Sequence, residues 1–198
     1  MITLVGVGPG SLGSMTLDAL EAIKRADSVL AFSRVRETLL ALRDDIEKIE
    51  RLDDLKNCRR DDDVVIAVSG DPLFYGLAGT LLSRGVAIER VVPGLSSVQC
   101  ASARLKIPWQ DMAFYSFHGR ERDVAPLLRT ASSCVLLDKS YTASQLSKDL
   151  KEAGAKGTIH GISYLSYDEE KIDMKAIGET LSIDAELALA VIELELDA

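Results

Sequence analysis

The sequence is short of basic residues, cysteines and histidines, and it has no long apolar run. Lysine and arginine number 23 against 31 aspartates and glutamates, a formal charge of −8. Nonspecific nucleic-acid binding needs a basic face, so a nucleic-acid partner is not expected. Solubility is the simplest use of the acidic excess. No stretch approaches the ~20 apolar residues of a membrane helix. No basic segment precedes an apolar one at the N-terminus, so a signal peptide is not expected either. Cys58, Cys100 and Cys134 are odd in number and lack metal or redox spacing. They fit a reducing cytosol, and a cytoplasmic protein is expected. The two histidines, His118 and His160, form no recognisable triad or metal set, so no metal site is expected.

What is present is an alternation of strand and helix patterns over 198 residues, enough for one domain or two joined lobes with a real core. Strands are expected over residues 1–7, 28–32, 64–68, 86–92, 112–117, 134–137, 158–165 and 186–196, with residues 172–177 ambiguous. Helices are expected over residues 34–42, 53–60, 75–83, 96–105, 124–129 and 142–153. Thr16 caps a further helix whose Leu17, Leu20 and Ile23 share a face. Such alternation implies an α/β architecture, although a final strand can run antiparallel. The Ile107-Pro108-Trp109-Gln110 stretch is the best boundary, giving lobes over residues 1–110 and 111–198.

Four turns carry the candidate chemistry. The first, Gly6-Val7-Gly8-Pro9-Gly10, follows the opening strand. Glycines let backbone approach a ligand, while Pro9 removes an N–H and so argues against a phosphate cradle. The Gly8-Pro9-Gly10-Ser11-Leu12-Gly13 spacing formally matches a dinucleotide fingerprint. However, the helix starts after Gly13 and no acid closes the second strand, so a nicotinamide dehydrogenase is a poor alternative. Ser14 stands where a P-loop requires lysine, which rejects that motif.

Ser69-Gly70-Asp71-Pro72-Leu73-Phe74 ends a later strand. Asp71 suits a helix cap, and equally suits an interaction with a cationic ligand. At 4 Å and an effective dielectric of 20, such a pair interacts by roughly 4 kcal/mol before desolvation. Pro93-Gly94-Leu95-Ser96-Ser97 resembles a nucleophile elbow only partly, because Val98 replaces its last glycine. Ser96 and Ser97 either cap a helix or line the same crevice. Ser116-Phe117-His118-Gly119-Arg120 ends a strand of the second half. Arg120 and Arg122 fit exposed salt bridges or a carboxylate-rich ligand. His118 either orients a substrate or bonds backbone.

Taken in this order, the four turns resemble the tetrapyrrole methyltransferase family over nearly the whole chain. Ser-x-His-Gly-Arg and a Leu165-Ser166-Tyr167 segment resemble the branch that methylates carbon 5 of a corrin precursor. The resemblance implies a two-lobed tetrapyrrole methylase fold, with open mixed sheets, flanking helices and a cleft between the lobes. It implies S-adenosylmethionine as methyl donor, contacted by Pro9, Gly70, Asp71, Phe74, Ser96, Ser97 and Leu137. It places Gly8, Gly10, His118, Gly119 and Arg120 on the side of a corrinoid tetrapyrrole substrate, and it implies a homodimer. No catalytic acid or base is assigned. The implied substrate is cobalt-precorrin-7, or alternatively metal-free precorrin-6Y, with a noncatalytic tetrapyrrole-binding module as a third possibility. Methylation at carbon 15 with decarboxylation would fall to a separate protein. Two segments depart from the family pattern. Ser163-Tyr164 replaces a Glu-Asn pair, and Asp138-Lys139-Ser140-Tyr141-Thr142 replaces the more usual Asn-Thr-Pro.

Overall fold

The computed structural model describes residues 1–57, 63–120 and 122–196. The chain forms two α/β units, Met1–Cys100 and Ala101–Ala198.

The first unit holds β1 (Ile2–Gly6), β2 (Ser28–Phe32), β3 (Glu47–Ile49), β4 (Val64–Val68) and β5 (Arg90–Val92). They lie in the order β3-β2-β4-β1-β5, and every pairing is parallel. A parallel sheet is covered on both faces, so its central strands read as continuous apolar runs. Val64–Val68 is buried at every residue. Successive side chains point to opposite faces. Val5 therefore packs with Ala19 and Ile23 of α1 (Leu17–Arg25) and with Val35 and Leu39 of α2 (Ser33–Leu39). Leu4 and Ile66 pack on the other face with Ala78 and Leu81 of α3 (Leu77–Ser83). α4 (Ser97–Leu105) crosses the division between the units.

Thr16 caps α1 as expected, its Oγ1 accepting from the Ala19 amide at 3.2 Å. The buried face differs from the Leu17-Leu20-Ile23 stripe, because Leu17 is 79% exposed. The sheet instead receives Ala19 and Ile23, one helical turn apart.

The second unit holds β6 (Ala113–Ser116), β7 (Ser132–Leu136), β8 (Gly157–Ser163), β9 (Lys171–Ala176) and β10 (Ala188–Leu194), with α5 (Ala143–Glu152). The order is β6-β7-β10-β8-β9. Only β6 and β7 run parallel in this sheet; the last strand is antiparallel to β7 and β8. Leu146 and Leu150 of α5 pack onto Val135, Ile159, Ala190 and Ile192. The ambiguous 172–177 segment is edge strand β9.

Several boundaries move. The helix expected over 124–129 is only a 3₁₀ turn, Leu127–Arg129. Pro126 lacks the amide a longer helix needs. The expected 86–92 strand begins at Arg90, and the 34–42 helix stops at Leu39. The 53–60 helix is a 3₁₀ segment, Leu52–Asn57; Cys58 and the two residues after it lie outside the described residues. β3 was not expected: it is a three-residue edge strand with two exposed charged residues. Among the described residues no helix is long and apolar enough to cross a membrane.

Candidate functional site

The topology of the first sheet creates a crevice. The chain leaves β1 through α1 on one face and leaves β4 through α3 on the other. β1 and β4 are neighbours, and their connections cross on opposite faces of the sheet, in opposite directions, to β2 and β5. Open α/β sheets bind ligands at such a switch point, outside the carboxyl ends of the strands. The turns after β1, β4 and β5 all emerge there, because the three strands are adjacent and parallel.

These turns touch through bare backbone. Gly8 and Gly70 extend the ladder past the strand ends, the Gly70 amide donating to the Gly8 carbonyl at 2.8 Å. A methyl group on Gly6 would lie 2.6 Å from both the Gly70 carbonyl oxygen and the Gly94 nitrogen. Glycine at position 6 is therefore needed for close approach. The Gly8 amide donates to the Gly70 carbonyl at 3.4 Å, and Pro9 has no amide. Val7, Gly8 and Pro9 thus offer no free N–H to a pyrophosphate, the Val7 amide donating to the Val68 carbonyl at 2.9 Å. The Gly10 carbonyl is tied to α2 through the Thr38 hydroxyl at 3.2 Å.

Asp71 organises the second turn. Its Oδ1 accepts from the amides of Leu73 at 2.8 Å and Phe74 at 3.2 Å. It caps this turn rather than a helix, since α3 starts only at Leu77. The Phe74 and Tyr75 rings meet edge to face at 5.0 Å, and Tyr75 has a left-handed φ of 49°. In the third turn Ser96 and Gln99 form a reciprocal capping box. The Ser96 amide donates to Gln99 Oε1 at 2.8 Å, and Ser96 Oγ accepts from the Gln99 amide at 3.2 Å. Gly8, Pro9, Gly70, Asp71, Phe74, Ser96 and Ser97 therefore belong to turns that gather at one end of one sheet. That end combines glycine backbone, free of side chains, with the adjoining Asp71 carboxylate, whose charge suits a cationic group. Gly6 and Gly94, whose backbones make the contact, were quoted in the sequence motifs but not among the expected site residues.

The second unit brings His118, Gly119, Arg120 and Leu137 to the carboxyl ends of the parallel pair β6 and β7. His118, Gly119 and Arg120 are exposed, while Leu137 is buried in the core and its amide donates to the Ala188 carbonyl at 2.9 Å. Sequence reasoning assigned no role to Asp138, which joins the two turns. Its Oδ2 accepts from the Gly119 amide at 2.9 Å, and its Oδ1 accepts from the Ser140 amide at 2.8 Å and the Ser140 hydroxyl at 2.5 Å. The Ser140 hydroxyl, then the Gly119 amide, hold the Asp138 carboxyl well below the usual carboxylate range. The available signal was an Asp-x-Ser at a strand end, common to many turns.

The model of the family described as Tetrapyrrole (Corrin/Porphyrin) Methylases matches residues 1–179. A probable cobalt-precorrin-7 C(5)-methyltransferase of Methanocaldococcus jannaschii is 31% identical over 93% of each chain. A cobalt-precorrin-7 C(5)-methyltransferase of Salmonella typhimurium is 33% identical over 78% of this chain and 79% of its own. Among solved structures, a uroporphyrin-III C-methyltransferase from Thermus thermophilus, complexed with S-adenosylhomocysteine, superposes with a TM-score of 0.80. It is 24% identical, with 97% of this chain and 96% of that one covered. By this match over most of its length, and by its fold, the chain belongs to the tetrapyrrole (corrin/porphyrin) methylase family.

Proposed function

We propose that the protein transfers a methyl group from S-adenosylmethionine to carbon 5 of cobalt-precorrin-7, a step of cobalamin biosynthesis. The observation that carries this assignment is the meeting of three glycine-bearing turns at the β1–β4 switch point in a chain of this family. The names of the two methyltransferases that align with most of the chain support the substrate. The engaged amides of Val7 and Gly8 and the missing one of Pro9 support a nucleoside without a pyrophosphate.

S-adenosylmethionine supplies an activated methyl on a sulfonium, open to direct displacement by a nucleophilic ring carbon. The chain's own residues bind and orient. Pro9, Gly70, Asp71, Phe74, Ser96, Ser97 and Leu137 are assigned to the cofactor. Gly8, Gly10, His118, Gly119 and Arg120 are assigned to the substrate, whose carboxylates suit the Arg120 fork. Orientation of this kind is worth roughly 7–11 kcal/mol in favourable systems. The lobes are taken as residues 1–110 and 111–198, the second completing the cofactor site. A cytoplasmic homodimer is proposed, with carbon 15 methylated by a separate protein.

The test is incubation with labelled S-adenosylmethionine and cobalt-precorrin-7, and in parallel with precorrin-6Y, locating the new methyl by NMR. A methyl at carbon 5 of the cobalt compound is expected. Label only in the metal-free compound moves the assignment to precorrin-6Y, and binding without transfer reduces it to a tetrapyrrole-binding module. Thermal stabilisation by NAD and not by S-adenosylhomocysteine would overturn the family chemistry altogether.

A further inference from the structure

We infer that Asp138 is a positioning residue for the corrin substrate, holding the His118-Gly119-Arg120 turn in place through the Gly119 amide. This rests on the assignment of that turn to substrate.

The turn is closed by a bond of 3.4 Å, from the Arg120 amide to the Phe117 carbonyl. Gly119 sits at a left-handed φ of 62°, and a methyl group there would meet nothing within 4 Å. The outer side of the turn is therefore open. On its inner side the Gly119 amide points at Asp138 Oδ2, at 2.9 Å.

Asp138 itself stands on a rigid support. Its carbonyl accepts from the Tyr141 amide at 3.1 Å, and Tyr141 is buried. The Tyr141 hydroxyl donates to Asp149 of α5 at 2.5 Å, and its ring meets Phe117 at 5.7 Å. The Arg122 guanidinium lies 5.2 Å from the Tyr141 ring centroid and donates to the Ser140 hydroxyl. The position of Gly119 is thus tied to helix α5 through Asp138 and Tyr141.

The chemistry of that carboxylate is specific. One oxygen faces the Gly119 N–H, and the other faces the N–H and O–H of Ser140. Both sides present donors, so both atoms must accept. An asparagine has one acceptor oxygen and one donor nitrogen, and would set N–H against N–H on one side whichever way it flips. With its oxygens turned to these donors, Asp138 sets the turn from behind without acting as a ligand.

The experiment compares Asp138→Ala, which removes both acceptors, and Ser140→Ala with the full-length parent. Gly119 amide exchange is followed by NMR without substrate, and KM, kcat and S-adenosylhomocysteine affinity are measured with cobalt-precorrin-7. Asp138→Ala is expected to speed Gly119 exchange and to raise the corrin KM about tenfold, the scale of one lost charge-assisted hydrogen bond. The kcat and cofactor affinity are expected to stay within about twofold, marking lost binding rather than lost chemistry. Ser140→Ala keeps the Gly119 bond and is expected to leave Gly119 exchange unchanged. Unchanged exchange in Asp138→Ala, or faster exchange with an unchanged KM, overturns the inference. A parent protein that methylates neither corrin defeats the functional assignment alone, because the exchange comparison still decides whether Asp138 holds the turn.

Discussion

The backbones of Gly94 and Gly70 are in direct contact: a methyl group on Gly94 would sit 2.3 Å from the Gly70 carbonyl oxygen and 2.7 Å from Gly6. The obstacles are backbone atoms, which cannot swing aside as a side chain can. Gly94→Ala and Gly6→Ala must therefore push strand ends apart. Each is expected to destabilise by about 3 kcal/mol, as overpacking does, and to weaken S-adenosylhomocysteine binding.

Gly70→Ala separates packing from backbone strain. Gly70 has a left-handed φ of 68°, yet a methyl there would meet nothing within 4 Å. Only the cost of the left-handed conformation applies, roughly 1–2 kcal/mol. Thermal unfolding should rank Gly70→Ala as the mildest of the three. A Gly70→Ala variant that unfolds as early as Gly94→Ala would contradict the open space at that position.

Asp71 carries two separable roles. Alanine removes the acceptor for the Leu73 and Phe74 amides, whereas asparagine keeps an acceptor and removes the charge. Asp71→Ala is expected to lower stability by about 1 kcal/mol, as lost caps do, and to weaken both forms of the cofactor. Asp71→Asn should weaken the sulfonium donor more than its neutral product, as measured by calorimetry with each. Equal affinities for both in Asp71→Asn would leave the carboxylate with the turn alone.

Much of this architecture was legible because glycine and proline mark strand ends and apolar runs mark buried parallel strands. The 28–32 and 64–68 strands were read to the residue. Edge elements were harder. Glu47–Ile49 offers one buried residue in three, and the 172–177 segment exposes Ile172 and Met174. Both therefore lacked the buried apolar signal on which strand reading depends. The turns of the candidate site could be named from their residues, but not the contact of Gly6 with Gly94, which depends on strand order. Asp138 was invisible for a related reason. Its partner Gly119 lies across a parallel pairing, and nothing local distinguishes it from other aspartates after a strand.

Cys134 gives a chemical check on the second core. It is fully buried in β7, and burial pushes its thiol up to about 12. At pH 8 only about one part in ten thousand is thiolate, and the reagent has no access. Native protein treated with iodoacetamide should show no modification at Cys134 by peptide mass mapping, while urea-unfolded protein should be modified there. Rapid native labelling of Cys134 would mean that the β7–β10 region opens.

The Asp138 carboxyl sets a pH window. The Ser140 hydroxyl and the Gly119 amide bond its charged form, so its folded value lies below the unfolded one. A group depressed in this way contributes fully above its unfolded value, near 3.9, and loses the contribution as pH falls through the folded value. The tether to Gly119 should therefore be constant from neutral pH down to about pH 4. The Asp138 side-chain carboxyl carbon signal, followed by NMR from neutral pH downward, is expected to show no protonation step over that range and to titrate only in stronger acid. A midpoint at or above about 4 would show that the carboxyl is not held by these donors.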